Sequence, residues 1–187
     1  VSQTIPNAEM VKFEKSGSNA VTGAVRAARA ITKRNKVAYC GSGGVWHDWQ
    51  AAMVSRDGGV PKFNSELIKI FEYNDIEGLE QIFEDNKDEI AAVVMEPTVY
   101  EQPKNDFLKK IRKIVDRNNS LLIFDEIITG FRFDLHGGQK MFNVKEEKIK
   151  EFDESSAVFS RFDKIRLIDG KMNRILDYIF KHINIHE

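Results

Sequence analysis

Short strand-like runs alternate with segments of helical periodicity along most of this 187-residue chain, and this alternation constrains the fold more than any other feature. The strand-like runs lie at residues 9–13, 36–40, 67–73, 91–95 and 121–124. Helical patterns lie between them at 19–33, 75–83 and 105–117, with Ser16 or Ser18 and Asp75 as natural N-caps. Strands that alternate with helices predict a three-layer α/β/α fold with a mostly parallel sheet.

The character of the sequence changes after Val144. Residues 145–154 form a run of mixed charge, and residues 160–185 carry apolar side chains at helical spacing. We therefore expect two parts, an α/β domain over residues 1–144 and a charged helical tail of unknown origin over residues 145–187. Because the chain starts at Val1 rather than at a methionine, we also expect it to belong to something larger.

Composition excludes several functional classes. The 28 basic and 29 acidic residues nearly cancel, so nucleic acid is a poor candidate partner. No apolar run approaches the ~20 residues that cross a bilayer, so we expect no membrane association. Cys40 is the only cysteine, which fits a reducing, cytoplasmic setting and a buried small side chain. The four histidines show no metal-ligand spacing, and we expect no metal site.

Polar residues follow the predicted strands, and in parallel sheets ligands bind at the carboxyl ends of strands. Ser16, Gly17 and Ser18 lie between a strand and a helix, where backbone N–H groups and the helix N-terminus could bind a phosphate. The alternative is an ordinary tight turn with a serine cap. These three residues alone do not decide between a phosphate site and a turn.

An acidic pair ends the most apolar strand. Asp125 follows residues 121–124, and Glu126 follows Asp125. A carboxylate at this position can pair with the protonated ring nitrogen of a cofactor and make that ring a better electron sink. The alternative is an acidic residue that simply faces water at a strand end.

Two further segments leave their function open. Residues 41–44 (GSGG) could form a second anion loop, but they lack the lysine of a nucleotide-binding P-loop, so a nucleotide-binding domain is a distant alternative. Residues 46–49 (WHDW) could stack on a planar ligand or pack in a core around a hydrogen-bonded histidine.

Together, several segments resemble one family in order and spacing. They are residues 7–41, GGVWHDW and RDGGVPK between residues 43 and 62, AAVVMEP at 91–97, LLIFDEIITGFRF at 121–133 and LHGGQKMFNV at 135–144. Over about residues 5–144 the chain is similar to class-III, pyridoxal-phosphate-dependent aminotransferases, most like the glutamate-1-semialdehyde 2,1-aminomutase group. The resemblance implies the large-domain fold of these enzymes, pyridoxal 5'-phosphate as cofactor, and a homodimer acting on small-molecule amino donors and acceptors.

The resemblance also implies roles for individual positions. Gly17 and Ser18 correspond to the phosphate-binding turn, Asp125 to the partner of the pyridine nitrogen, and Ile127 to the residue beneath the ring. Glu96 corresponds to a residue near cofactor and substrate. The aromatic residue that usually stacks on the ring falls on Ser42, so either this stacking is lost or Trp46 replaces it.

The chain departs from the family at the lysine that forms the Schiff base with the cofactor. Family spacing puts this lysine at Asp153, and no other lysine lies in the matching context. Segments that the family places before residue 1 are also absent. We therefore expect amino-group transfer to be impaired in this chain. The alternative is a non-catalytic pseudoenzyme or interaction module that retains only remnants of the cofactor site.

Overall fold

The computed structural model describes residues 13–41, 47–51, 58–98, 100–144 and 166–168. The helices are α1 (Gly17–Thr32), α2 (Asp48–Ala51), α3 (Phe63–Glu66), α4 (Ile76–Asp85), α5 (Phe107–Arg117) and α6 (Gly138–Met141). The strands are β1 (Lys36–Cys40), β2 (Ile68–Phe71), β3 (Ile90–Met95), β4 (Leu121–Phe124) and β5 (Arg166–Ile168). Within the described residues, no helix is both long and apolar enough to cross a lipid bilayer.

The five strands form one sheet in the order β2-β1-β3-β4-β5. The first four are parallel: Tyr39 of β1 lies beside Ile70 of β2 and Val94 of β3, and Val94 lies beside Ile123 of β4. Parallel strands need a crossover between them, and the helices of this chain supply it. The prediction of a mostly parallel α/β sheet is confirmed.

Helices cover both faces of the sheet, so the three-layer prediction is also confirmed. On one face α1 packs its alanine and valine side chains against β1, β3 and β4. On the other face α4 and α5 pack their longer side chains, such as Leu79, Phe107 and Ile111, against the same strands. All six residues of the central strand β3 are buried, which explains its uninterrupted apolar sequence.

Local signals set the ends of these elements. Ser16 caps α1, since its Oγ accepts a hydrogen bond from the N–H of Asn19 at 3.3 Å. Asp75 caps α4 as predicted, because its Oδ1 accepts from the N–H of Gly78 at 2.9 Å. Helix α1 ends at Lys33, which adopts the left-handed conformation common at helix C-termini.

The prediction of a helix over residues 160–185 is wrong at Arg166–Ile168. These three residues form β5, which runs antiparallel to β4 and pairs Ile168 with Leu122. Strand β5 pairs with backbone groups of β4 that would otherwise form a sheet edge. This pairing joins residues that are far apart in the sequence, so local helical spacing does not predict it. The remaining residues of that predicted helix lie outside the described part of the chain. So do residues 9–12 of the predicted first strand.

Candidate functional site

Three strands end side by side and place polar side chains on the α1 face of the sheet. Successive side chains of a strand point to opposite faces. Met95 and Phe124 belong to the core under α4 and α5, so the next residues, Glu96 and Asp125, point toward α1. Tyr39 of β1 packs in the α1-side core directly. The carboxyl ends of β1, β3 and β4 therefore bring one phenol and two carboxyl groups to the same face.

The two carboxyl groups hold protons more tightly than they would in water. Burial raises the pKa of Glu96 to about 7, and the neighbouring Asp125 adds to this shift. Burial also raises the pKa of Asp125 to about 6; the N–H of Ile127 opposes the shift and the charge of Glu126 increases it. The Oε2 atom of Glu96 is buried and has no hydrogen-bond partner among the described residues. This part of the site thus favours a ligand with polar or cationic groups.

Tyr39 is a site residue that the sequence reasoning missed. Its side chain is buried, and burial followed by the charges of Asp125 and Glu96 raises the pKa of its phenol. The hydroxyl therefore keeps its proton and can donate a hydrogen bond. The alternation of side chains along a strand could have revealed this position. Tyr39 lies two residues beyond the buried Val37 and therefore points to the same face of the sheet.

The N-terminus of α1 lies next to these strand ends. Because Gly17 and Ser18 occupy its first turn, their N–H groups have no acceptor within the helix. Of the two predicted caps, the structure uses Ser16, which leaves the Ser18 hydroxyl outside the capping interaction. These N–H groups and the helix dipole favour an anion at this end of the helix.

Gly17 and Ile127 connect the helix end to the loop after β4. A Cβ atom added to Gly17 would lie 2.0 Å from Cδ1 of Ile127, so a larger residue at position 17 would force the Ile127 side chain to move. Ile127 in turn donates its N–H to Oδ1 of Asp125 at 2.9 Å. The structure thus brings Gly17, Asp125 and Ile127 together, with Ser18 beside Gly17. Ser42, Trp46 and Asp153 lie outside the described residues.

Glu126 is a second residue whose importance sequence reasoning missed. Its side chain is fully buried, whereas a solvent-facing acid was the alternative for this strand end. The carboxylate accepts hydrogen bonds from the hydroxyl of Thr129 and from the N–H groups of Gly138 and Gln139. Two features of the sequence could have indicated this arrangement. Thr129 lies three residues after Glu126, and the glycines at 137 and 138 allow the backbone to approach the carboxylate closely.

Part of the WHDW segment packs against α1. Trp49 donates its indole N–H to Oγ1 of Thr22 at 2.8 Å, and this hydroxyl lies 2.6 Å from Nδ1 of His47. For these two residues the structure agrees with the packed arrangement around a hydrogen-bonded histidine. Cys40 is buried as predicted, and burial raises the pKa of its thiol to about 12. A thiol with this pKa is a poor nucleophile at neutral pH.

Comparison with protein families establishes the family of this chain. Residues 1–142 match the model of the family described as aminotransferase class-III. The chain belongs to the class-III aminotransferase family. This result confirms the resemblance that rests on the motifs around residues 16–18, Glu96 and Asp125.

Curated members of the class-III family are similar over most of this chain. A glutamate-1-semialdehyde 2,1-aminomutase from Alkaliphilus oremlandii (strain OhILAs) is 38% identical over 165 residues, which cover 80% of this chain and 38% of the relative. A 3-aminobutyryl-CoA aminotransferase from Cloacimonas acidaminovorans (strain Evry) is 40% identical over 148 residues, covering 76% of this chain and 35% of the relative. The chain thus spans less than two fifths of the length of these class-III relatives.

Solved structures of transaminases share the fold. A transaminase solved with PLP bound superimposes with a TM-score of 0.73 and 25% sequence identity, over 91% of this chain and 42% of the other. The class-III chain therefore has the architecture of pyridoxal-phosphate-dependent transaminases.

Proposed function

We propose that this chain forms a pyridoxal 5'-phosphate site, and that the site serves amino-group transfer or intramolecular amino exchange in the complete protein. The observation that carries the proposal is the contact between Gly17 and Ile127. It joins the N-terminal end of α1 to the loop that carries Asp125, and a Cβ at Gly17 would lie 2.0 Å from Cδ1 of Ile127. A ligand with a phosphate at one end and a basic ring nitrogen at the other matches these two parts.

The phosphate group would be held by the first turn of α1. The N–H groups of Gly17 and Ser18 and the Ser18 hydroxyl would donate hydrogen bonds to it, and the helix dipole adds partial positive charge. No acidic residue lies in this turn, so nothing in it opposes a phosphate.

Asp125 would hold the pyridine nitrogen, and Ile127 would pack against the ring. A protonated ring nitrogen beside Asp125 favours the ionised carboxylate and lowers the pKa that burial raises to about 6. The ion pair would keep the nitrogen protonated, and the cofactor, when bound, would supply an electron sink for chemistry at an amine-bearing carbon.

Glu96 would hold or release a proton at the edge of the same site. Its pKa of about 7 leaves comparable amounts of acid and carboxylate near neutral pH. The unpartnered Oε2 atom faces no described hydrogen-bond donor, so a polar group of cofactor or substrate would satisfy it.

We further propose that this chain binds the cofactor without completing the transfer reaction. The motif spacing puts Asp153 at the position of the cofactor-binding lysine, and a carboxylate cannot form a Schiff base.

An absorbance titration with pyridoxal 5'-phosphate, followed by borohydride reduction and peptide mapping, tests both statements. We expect saturable binding, no single stoichiometrically reduced lysine, and at least about tenfold weaker binding by Asp125→Asn. The matched control is Asp85→Asn, which neutralises an exposed acid at the end of α4 and should bind like wild type. Absence of saturable binding by wild type would refute the cofactor site. One stoichiometric lysine adduct would refute the proposed loss of activity.

A second candidate function is an interaction surface, and we propose a second copy of this chain as its partner. Five large apolar side chains are exposed in the segment after β4: Ile128, Phe131, Phe133, Leu135 and Met141. Apolar side chains exposed together in one segment are a feature of protein contact surfaces when they form a contiguous patch. Sedimentation equilibrium across a concentration series tests the proposal, and a monomer at all concentrations would refute it.

A further inference from the structure

Glu126 has the most buried carboxyl group at the end of β4, and three hydrogen-bond donors converge on it. Its side chain is 0% exposed. Oε2 accepts from the Thr129 hydroxyl at 2.5 Å and from the N–H of Gly138 at 2.8 Å, and Oε1 accepts from the N–H of Gln139 at 3.1 Å. Three donors that converge on one buried group match an ionised carboxylate, which only accepts hydrogen bonds.

These bonds close the segment from Glu126 to Gln139 into a loop with a fixed base. The backbone carbonyl of Glu126 also accepts from the N–H of Gly130 at 2.8 Å, so the same residue holds the first turn of the loop. At the returning end, a Cβ added to Gly138 would lie 2.9 Å from Cβ of Pro97. The base of the loop therefore packs against the residue that follows Glu96.

Glu126 lies between the two residues that would contact the cofactor. Asp125 precedes it, and Ile127 follows it and donates its N–H to the carboxylate of Asp125. A residue that is locked at both carboxylate oxygens and at its carbonyl oxygen leaves its neighbours little freedom of backbone rotation. The charge of Glu126 also acts on Asp125 and favours its protonated form.

We propose that Glu126 is a positioning residue of the cofactor site, which fixes Asp125 and Ile127 by clamping the loop and acts on Asp125 from the adjacent position in the chain. This inference rests on the proposed cofactor site. Glu126 itself would touch neither cofactor nor substrate, because its carboxylate is occupied by the base of the loop.

The charged and titratable groups around Asp125 come from every neighbouring element. Among the described residues they include Tyr39 from β1, Glu96 from the end of β3 and Glu126 from its own loop, while the first turn of α1 contributes N–H groups and no acid. Among these, Glu126 can be neutralised without removing a group proposed to contact the cofactor. Neutralising it should ease ionisation of Asp125 and move the pH midpoint of cofactor binding downward.

The test compares Glu126→Gln with Glu84→Gln, which removes the same charge from an exposed position on α4. Cofactor dissociation constants are measured by absorbance from pH 5 to 9. We expect Glu126→Gln to weaken binding at pH 8 at least about tenfold and to lower the pH midpoint, with no change for Glu84→Gln. Weaker binding with an unchanged midpoint would show a purely structural role and overturn the proposal, as would wild-type binding.

A cofactor-free measurement separates this proposal from the cofactor site itself. Chymotrypsin can cleave after Phe131 or Phe133 when the loop opens, and we expect Glu126→Gln to be cleaved at least about tenfold faster than wild type. Equal cleavage rates would overturn the clamp. If wild type binds no cofactor while the variant loop opens, the proposed function fails and the clamp stands as a structural device only.

Thr129→Val removes one neutral donor and gives a milder second variant if Glu126→Gln does not fold. An unchanged cleavage rate in Thr129→Val would also count against the clamp.

Discussion

The missing side chain of Gly17 and the tip of Ile127 occupy the same space, since a Cβ on Gly17 would lie 2.0 Å from Cδ1 of Ile127. One residue begins the helix that would bind a phosphate, and the other follows the carboxylate that would bind a ring nitrogen. The two halves of the site are thus coupled by direct packing. A change at either residue should affect both stability and cofactor binding.

Replacement of Gly17 by alanine should destabilise the protein and weaken cofactor binding together. The added methyl group forces Ile127 to move, and overpacking of this kind costs about 1–3 kcal/mol in the free energy of unfolding. Urea denaturation and the cofactor titration measure the two effects. Ile127→Ala removes the atoms that clash, so the double variant should recover part of the lost stability; a strictly additive double variant would contradict the coupling.

Gly23→Ala supplies the matched control on the same helix. A Cβ at Gly23 meets no atom within 4 Å, so the substitution adds no clash. Because alanine favours the helix over glycine, we expect stability to rise by about 0.5–1 kcal/mol. A loss of stability in this variant would show that the penalty at Gly17 does not come from Ile127 alone.

The stability of the cofactor-free protein should fall as the pH rises from about 4 to about 7. Burial raises the pKa of Asp125 to about 6 and that of Glu96 to about 7, above the ordinary values of about 3.9 and 4.3 that the unfolded chain has. Between these limits the folded state binds more protons than the unfolded state. Raising the pH therefore removes protons mainly from the folded state and lowers the free energy of unfolding.

Urea denaturation at pH 5 and pH 8 checks this direction. Asp125→Asn and Glu96→Gln each replace an ionisable group by a neutral one, so each should flatten the pH dependence and raise stability at pH 8. The exposed Glu77→Gln should leave the slope unchanged. A steeper dependence of the free energy of unfolding on pH in either variant would contradict the assignment of the raised pKa values to these carboxyl groups.

Sequence patterns located most of the fold because the signals were local. The apolar runs gave the buried strands β3 and β4, and the caps Ser16 and Asp75 gave two helix starts. Asp125 was predicted as a site residue because an acid directly follows a buried strand, whereas the predicted role of Glu96 came from the family resemblance. These features need only neighbouring residues and the periodicity of helices and strands.

The features that the sequence did not predict depend on contacts between residues that are far apart in the chain. The role of Glu126 requires Gly138 and Gln139, which lie twelve and thirteen residues further along the chain. Strand β5 requires the open edge of β4, and this edge outweighs the helical spacing around Ile168. Neither of these contacts changes the local spacing of apolar residues, so neither can be predicted from a single sequence.

Arg34 should contribute more to stability than any exposed arginine in the described part of the chain. Its Nη1 donates to the carbonyl oxygens of Ile90 at 3.2 Å and Asn118 at 2.7 Å, and its Nη2 lies 3.2 Å from Oδ1 of Asp88. Hydrogen bonds from a charged group contribute about 1.5–3 kcal/mol each, with overlap among bonds to one group. We expect Arg34→Ala to lose about 2–4 kcal/mol in the free energy of unfolding, measured in urea.

Two variants sharpen this prediction. Arg34→Lys keeps the charge but not the planar fork, so it should recover less than half of the loss. Arg26→Ala changes an exposed arginine on α1 and should stay within about 0.5 kcal/mol of wild type. Full recovery by Arg34→Lys would mean that charge, and not the geometry of the guanidinium group, holds the amino-terminal edge of the sheet.

The exposed apolar side chains after β4 should govern association and leave folding nearly unchanged. Phe131 is 45% and Phe133 is 44% exposed. The double replacement Phe131→Ser/Phe133→Ser removes apolar surface from the contact while burying no polar group, so we expect weaker self-association in sedimentation equilibrium. Because much of each ring already faces water, the free energy of unfolding should fall by less than about 1 kcal/mol, as is usual for surface sites. The control Phe107→Ser alters a buried ring and should instead unfold the protein at much lower urea. A double variant that associates like wild type would remove the basis for the dimer contact.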